Sequence, residues 1–183
     1  PSLPEHPQLL QVDAVLPALQ DLARHHRRQF DIPVIGITGS NGKTTTKELV
    51  AGVLSSTYRL HFTQGNYNNH IGVPLTLLAM PQGTELAVIE MGANAQGEID
   101  MLSRIAEPNY GLITNIGKAH LEGFGSYEKV IQAKSELYDY ICANNGTIFF
   151  NKDNELLEKL VQQKNCSSYS YGSNINAECR GEI

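Results

Sequence analysis

The chain has 183 residues, 41% hydrophobic and 18% charged, enough for one domain with a sizeable core. Its 14 Lys and Arg against 19 Asp and Glu leave a formal charge of -5, which argues against a nucleic-acid surface, where a basic excess is the rule. No run approaches the roughly 18 apolar residues needed to span a bilayer, and the N-terminus lacks the basic-then-apolar pattern of a signal peptide.

In chain order, Pro1, Pro4 and Pro7 break up the first residues, which read as a linker. From Asp13 to Phe30 the pattern is helical: Val15, Leu16, Leu19, Leu22 and Ala23 recur at helical spacing, with Asp13 as candidate N-cap. "RHHRR" at 24–28 reads as a solvated cationic helix end, favoured by the helix dipole; a phosphate-binding patch is the alternative. The chain then alternates. "PVIGIT" is a strand, Thr44 to Ser56 a helix, "RLHF" a strand and "GVPLTLLAM" a short helix. "ELAVIEM" is a strand, Gly97 to Ala106 a helix, "YGLIT" a strand and Ser126 to Ala143 a long helix. "TIFF" is a strand, Asp153 to Lys164 a helix, and "SSYSY" a weak final strand. Short, continuous, apolar strands are those of a buried parallel sheet. The alternation predicts an α/β fold of P-loop type, a mostly parallel sheet with helices on both faces. Ligands of such folds bind beyond the carboxyl ends of the strands.

Cys142, Cys166 and Cys179 are far apart and form no C-x-x-C, so they read as reduced thiols of a cytoplasmic protein, with no disulfide or zinc site. The chain lacks an initiator Met, and Arg180 to Ile183 read as the start of a strand, so a fragment of a longer protein is expected.

Five segments carry chemistry. "VIGITGSNGKTTTKE" places a glycine loop between a strand and a helix. The general phosphate-loop pattern wants glycine at position 37, which is Ile37; the glycines stand at 36, 39 and 42. Even so, Gly39, Ser40, Asn41 and Gly42 can turn N–H groups inward at a helix N-terminus, Lys43 can reach the β- and γ-phosphates, and the Thr44 hydroxyl can hold Mg²⁺. Thr45 follows in the same helical turn. "TQGNYNNHIGVP" gathers Asn66, Asn68 and Asn69 at a strand end: a polar turn, or a substrate contact. Glu90 closes an apolar strand and suits Mg²⁺; the alternative is an acid facing solvent. His120, in "TNIGKAHLEGFGS", is structural or catalytic on equal footing. Lys134, in "VIQAKSELYDY", taken alone is an ordinary exposed helix lysine.

Together these segments resemble the Mur ligases, ATP-dependent amide-forming enzymes of peptidoglycan synthesis. "TGSNGKTT" is similar to the family's nucleotide loop; "QGNYNNHIGVPLTLL", "VIEMGANAQGEI", "AHLEGFGS" and "AKSELY" resemble the member that joins D-Ala-D-Ala to UDP-MurNAc-tripeptide. The resemblance implies residues 1–31 as a linker and helix from a preceding domain, and 32–183 as a C-terminally incomplete central ATP-binding domain. An N-terminal UDP-sugar domain and a C-terminal domain would lie outside. It implies ATP and two Mg²⁺ as cofactors and Gly39 to Thr45 as nucleotide-binding. Lys43, His120 and Lys134 would be catalytic, and Asn66, Asn68 and Asn69 would face substrate. Thr44, Glu90, His120 and a carbamylated Lys134 would serve the metals. Partners would be the two small-molecule substrates, with no nucleic acid and no membrane insertion, and the protein would be a cytoplasmic monomer. Two other readings stay open: another acyl-phosphate ligase, such as a folylpolyglutamate synthase or a different Mur step, and a non-catalytic P-loop nucleotide-binding module.

Overall fold

The computed structural model describes residues 9–117 and 124–181. Six helices are described, α1 (Val15–Arg27), α2 (Lys43–Leu54), α3 (Gly72–Leu78), α4 (Glu98–Ala106), α5 (Tyr127–Ala143) and α6 (Glu155–Gln162). The strands are β1 (Val34–Thr38), β2 (Leu60–Phe62), β3 (Leu86–Glu90), β4 (Tyr110–Ile113), β5 (Thr147–Asn151), β6 (Ser167–Gly172) and β7 (Cys179–Arg180). They form one parallel sheet in the order β2-β3-β1-β4-β5-β6-β7. The predicted α/β class and parallel sheet are therefore present. "SSYSY" is not a weak strand: β6 pairs along its length with β5, from Ser167 opposite Thr147 to Tyr171 opposite Asn151.

Helices lie on both faces, unevenly. The larger core joins Val34, Ala87, Ile89, Ile113 and Ile148 to residues of α1, α3, α4, α5 and α6. The smaller joins Ile37, Val88 and Leu112 to Val50 and Leu54 of α2. Handedness accounts for this. In a right-handed crossover, the direction of travel along the sheet fixes the face on which the helix lies. Among the described connections only β1 to β2 runs toward the β2 edge, so among the described helices only α2 lies on its face.

Local signals set the helix ends. Ser126 Oγ accepts the Lys129 N–H at the start of α5, and Asn154 Oδ1 caps Leu156 and Leu157 in α6. Asp13 does not cap α1, which begins after Ala14 without a side-chain cap. The cationic end of α1 is not wholly solvated. Arg27 is buried, donating to the carbonyls of Ala106 (3.0 Å), Phe30 (2.7 Å), Ile32 and Glu107. It closes the end of α4 and ties α1 to it and to the segment leading into β1.

The expectation of three free thiols needs correction. Cys142 and Cys166 are joined as a disulfide, their Cα atoms 5.1 Å apart, and exposed Cys179 is free. They are 24 residues apart in sequence, but both pack against the larger core, where the end of α5 meets the approach to β6. Among the described residues no helix is long and apolar enough to cross a membrane.

Candidate functional site

The site lies where β1, β3 and β4 end. After Thr38 the chain enters the glycine loop, and two of its glycines are required sterically. At Gly39 (φ +147°) an added Cβ would stand 2.0 Å from Thr114 Oγ1; Gly42 is left-handed (φ +75°) and serves as N-cap of α2. The segment after β4 braces the loop. Ser40 N–H donates to Asn115 O (3.0 Å), and Ser40 Oγ accepts the Gly117 N–H (2.9 Å). Asn41 N–H donates to Asn115 Oδ1 (3.1 Å), while Asn41 O accepts from Thr114 Oγ1 (2.7 Å) and Asn115 Nδ2 (2.9 Å). Sequence reasoning singled out His120 in this segment and missed Thr114 and Asn115. Their signal was present: they directly follow an apolar strand. His120 itself lies outside the described residues.

Lys43 begins α2 and folds back on the loop, its Nζ 2.8 Å from Gly39 O and 3.3 Å from Ser40 O. Desolvation lowers its pKa, and the charge of Glu90 opposes that. Those carbonyls are weak partners for an ammonium compared with phosphate oxygens. Thr44 Oγ1 donates to Glu90 Oε1 (3.2 Å), which also accepts from Asn68 Nδ2 (2.8 Å). Thr45 is exposed on the outer side of the same turn.

Glu90 does not face solvent: it is fully buried, and its Oε2 has no hydrogen-bond partner. A buried carboxylate oxygen without a donor is the kind of orphan a hard cation satisfies. Among the described residues no three His, Cys, Asp or Glu side chains gather. The remaining ligands would be hydroxyl, water and phosphate oxygens, a donor set that fits Mg²⁺.

The three asparagines play different parts. Asn68 reaches Glu90, and its backbone O accepts the Gly92 N–H (2.7 Å). Asn69 Oδ1 accepts the N–H groups of Ile71 (3.0 Å) and Gly72 (2.8 Å), an Asx turn leading into α3. Asn66 is exposed, and its O accepts the Asn68 N–H. Asn68, Asn69, Lys43, His70, Asn94 and Glu98 help line a cavity of about 310 Å³ beside Glu90.

Lys134 is not an exposed helix lysine. It is 2% exposed, its Nζ 3.3 Å from Ala93 O and 5.5 Å from the centre of the Phe124 ring. Burial first, and the charge of Lys43 second, lower its pKa to about 8. Ala93 also lines the cavity, so Lys134 stands behind its wall. The site thus brings together Lys43, Thr44, Asn68, Glu90 and Lys134, with the glycine loop on one side and a polar cavity on the other. That arrangement can hold a phosphorylated ligand against an acceptor in the cavity.

Residues 37–182 match the Mur ligase middle domain family. A relative from Bacillus subtilis, "UDP-N-acetylmuramoyl-tripeptide–D-alanyl-D-alanine ligase", is 46% identical over 173 residues, covering 94% of this chain and 37% of that protein. Among solved structures, MurF from Acinetobacter baumannii superimposes with a TM-score of 0.84 at 38% identity, covering 90% of this chain and 37% of the other. MurF ligase from Thermotoga maritima in complex with ADP gives 0.85 at 32% identity, covering 95% and 40%. The chain therefore spans well under half the length of these relatives. With the loop, the buried acid and the sheet in place, and the family matching most of its residues, the chain belongs to the Mur ligase middle-domain family.

Proposed function

We propose that the full-length protein is an ATP-dependent carboxylate–amine ligase that joins D-Ala-D-Ala to UDP-MurNAc-tripeptide, releasing ADP and phosphate. The observation that carries this reading is the Thr44–Glu90 pair, next to a polar cavity lined by Lys43 and by Asn68, which itself bonds Glu90. Its relatives' names supply the substrates. This chain would carry the ATP and Mg²⁺ site, with the UDP-sugar and D-Ala-D-Ala contacts supplied elsewhere in the protein, so that it would not ligate alone.

A free carboxylate is a poor acyl donor, because oxide would have to leave. In the reading proposed here, a substrate carboxylate oxygen in the cavity attacks the γ-phosphorus of ATP. The bond to the β-bridging oxygen breaks and ADP departs, leaving an acyl phosphate. The amine of D-Ala-D-Ala then adds to the acyl carbon, and the tetrahedral intermediate collapses to amide and phosphate. Lys43 would leave its loop carbonyls for the β- and γ-phosphate oxygens and offset charge as phosphate moves. Gly39 to Thr45 would cradle the phosphates from the helix N-terminus. Asn68 would hold Glu90, and Asn66 and Asn69 would border the acyl substrate. Glu90 and Thr44 would hold Mg²⁺, which when bound supplies charge neutralisation at the phosphates. Lys134 as a neutral amine could take up CO₂ to form a carbamate, exchanging a repelling cation for two oxygens. Localisation in the cytoplasm and a monomeric state belong to the same proposal.

The test is ADP release by the full-length protein. Turnover should require UDP-MurNAc-tripeptide and D-Ala-D-Ala together. Turnover with folate and glutamate instead would overturn the reading in favour of another acyl-phosphate ligase. Nucleotide binding without turnover on either pair would favour a non-catalytic module.

A further inference from the structure

One lysine of α2 is sunk in the core and takes no part in the phosphate chemistry. Lys47 is fully buried, one helical turn beyond Lys43. Burying an ammonium costs several kcal/mol unless it is well partnered. Lys47 Nζ donates to Thr63 O at 2.7 Å, lies 2.8 Å from Glu48 Oε1, and stands 5.8 Å from the centre of the Phe62 ring. Thr63 is also fully buried and directly follows β2, ahead of the asparagine loop. Its N–H donates to Val88 O (3.0 Å), and its hydroxyl accepts the Glu90 N–H (3.0 Å).

These bonds close a circuit. Thr44 at the start of α2 touches the Glu90 carboxylate. The Glu90 backbone is held by the Thr63 hydroxyl. The Thr63 carbonyl is held by Lys47, back on α2. A leucine or methionine would fill such a core position without the desolvation cost. What the lysine adds is a fixed register between the helix that starts at the phosphate loop and the strand ends that carry Glu90 and the asparagines.

We propose that Lys47 is a positioning residue. Acting through Thr63, it fixes the Glu90 carboxylate and the base of the asparagine loop against the phosphate-binding end of α2, so that Thr44 and Glu90 keep the spacing a divalent cation needs. The inference rests on the metal-assisted reading of this site. Lys47 touches no ligand. It acts one bond further out, through Thr63 on the Glu90 backbone; losing a group bonded directly to a metal ligand commonly weakens metal binding about 10- to 100-fold, and the lower end of that range is the effect expected here.

The experiment uses the full-length protein, with Mn²⁺ as probe, titrated by electron paramagnetic resonance in the presence of ADP. ADP affinity without metal and the melting temperature are measured alongside. Lys47→Met keeps chain length and removes the donor; it should weaken Mn²⁺ about tenfold while leaving metal-free ADP affinity unchanged. Lys47→Arg, which keeps a donor, should recover most of that loss. Thr63→Val keeps the shape and breaks the hydroxyl link, so it should weaken Mn²⁺ similarly, and the double variant should lose less than the two losses combined. A folded Lys47→Met protein that binds Mn²⁺ as the wild type does overturns the proposal. So does an equal loss of metal-free ADP binding, which marks general loosening. Should Lys47→Met fail to fold, unchanged Mn²⁺ affinity in Thr63→Val overturns it instead. A wild-type protein without D-Ala-D-Ala-dependent turnover would sink the ligase reading and leave the Mn²⁺ comparison standing.

Discussion

Burying Lys134 penalises its ammonium form, and the penalty depends on pH in a defined way. Its folded pKa of about 8 lies below the ordinary 10.5. Above pH 10.5 both folded and unfolded chains carry a neutral amine, and nothing is lost. As pH falls from 10.5 to about 8, the unfolded chain takes up the proton and the folded chain resists it, so stability falls. Below about 8 the whole penalty remains. In metal-free, CO₂-free buffer, Lys134→Met should therefore stabilise the full-length protein at pH 7 by roughly 3 kcal/mol. The gain should fade by pH 10.5. Denaturant titrations at the two pH values check this, and a gain independent of pH would refute the desolvation account. Lys134 also shows where sequence reading stops at this scale. Its neighbours Ala133 and Ser135 do not say which side of α5 faces the core, so a helix lysine reads as exposed; the same holds for Lys47 in α2. Glu90 and Lys43 were legible because each closes or follows an apolar strand, a position with few alternatives.

Arg27 links two elements, and its removal should be felt by both. The side chain satisfies four carbonyls, two of them at the end of α4. Burial lowers its pKa against the opposing charge of Glu107. Arg27→Met would leave buried carbonyls without donors, which costs about 1–3 kcal/mol for each group that water cannot reach. A total loss of about 3 kcal/mol in urea denaturation is expected. Neighbouring Arg28 pairs with Glu107 from an exposed position, where solvent screens the pair, and Arg28→Ala should cost far less than Arg27→Met. Equal losses would mean that Arg27 is not the clamp. The elements themselves were largely legible, since apolar runs and helical periodicity identified every described strand and helix up to β6. What the run "RHHRR" did not carry was that one of its arginines turns inward, because charge density alone says nothing of helix phase. Nor could spacing bring Cys142 beside Cys166, which depends on where the end of α5 comes to lie relative to the approach to β6.

At the scale of the whole molecule, strand order decided what periodicity could not. Helices on both faces were expected, yet among the described residues α2 alone covers its side, because order in the sheet is a long-range property absent from local pattern. That helix carries the glycine loop at its N-terminus, so on the proposed reading nucleotide binding and global stability would be linked through it. Lys43 Nζ rests on Gly39 O and Ser40 O, and exchanging those contacts for phosphate oxygens favours the folded state. A ligand that binds only the folded protein stabilises it by RT ln(1 + [L]/Kd). With Mg·ADP at 100 times the wild-type Kd, the gain is about 2.7 kcal/mol. If Lys43→Met weakens Mg·ADP about 100-fold, the same concentration gives only about 0.4 kcal/mol. Thermal denaturation of the full-length protein with and without Mg·ADP should show a clear shift for wild type and almost none for the variant. Equal shifts in both would mean that the nucleotide is held without this lysine, and would remove the phosphate loop from the site.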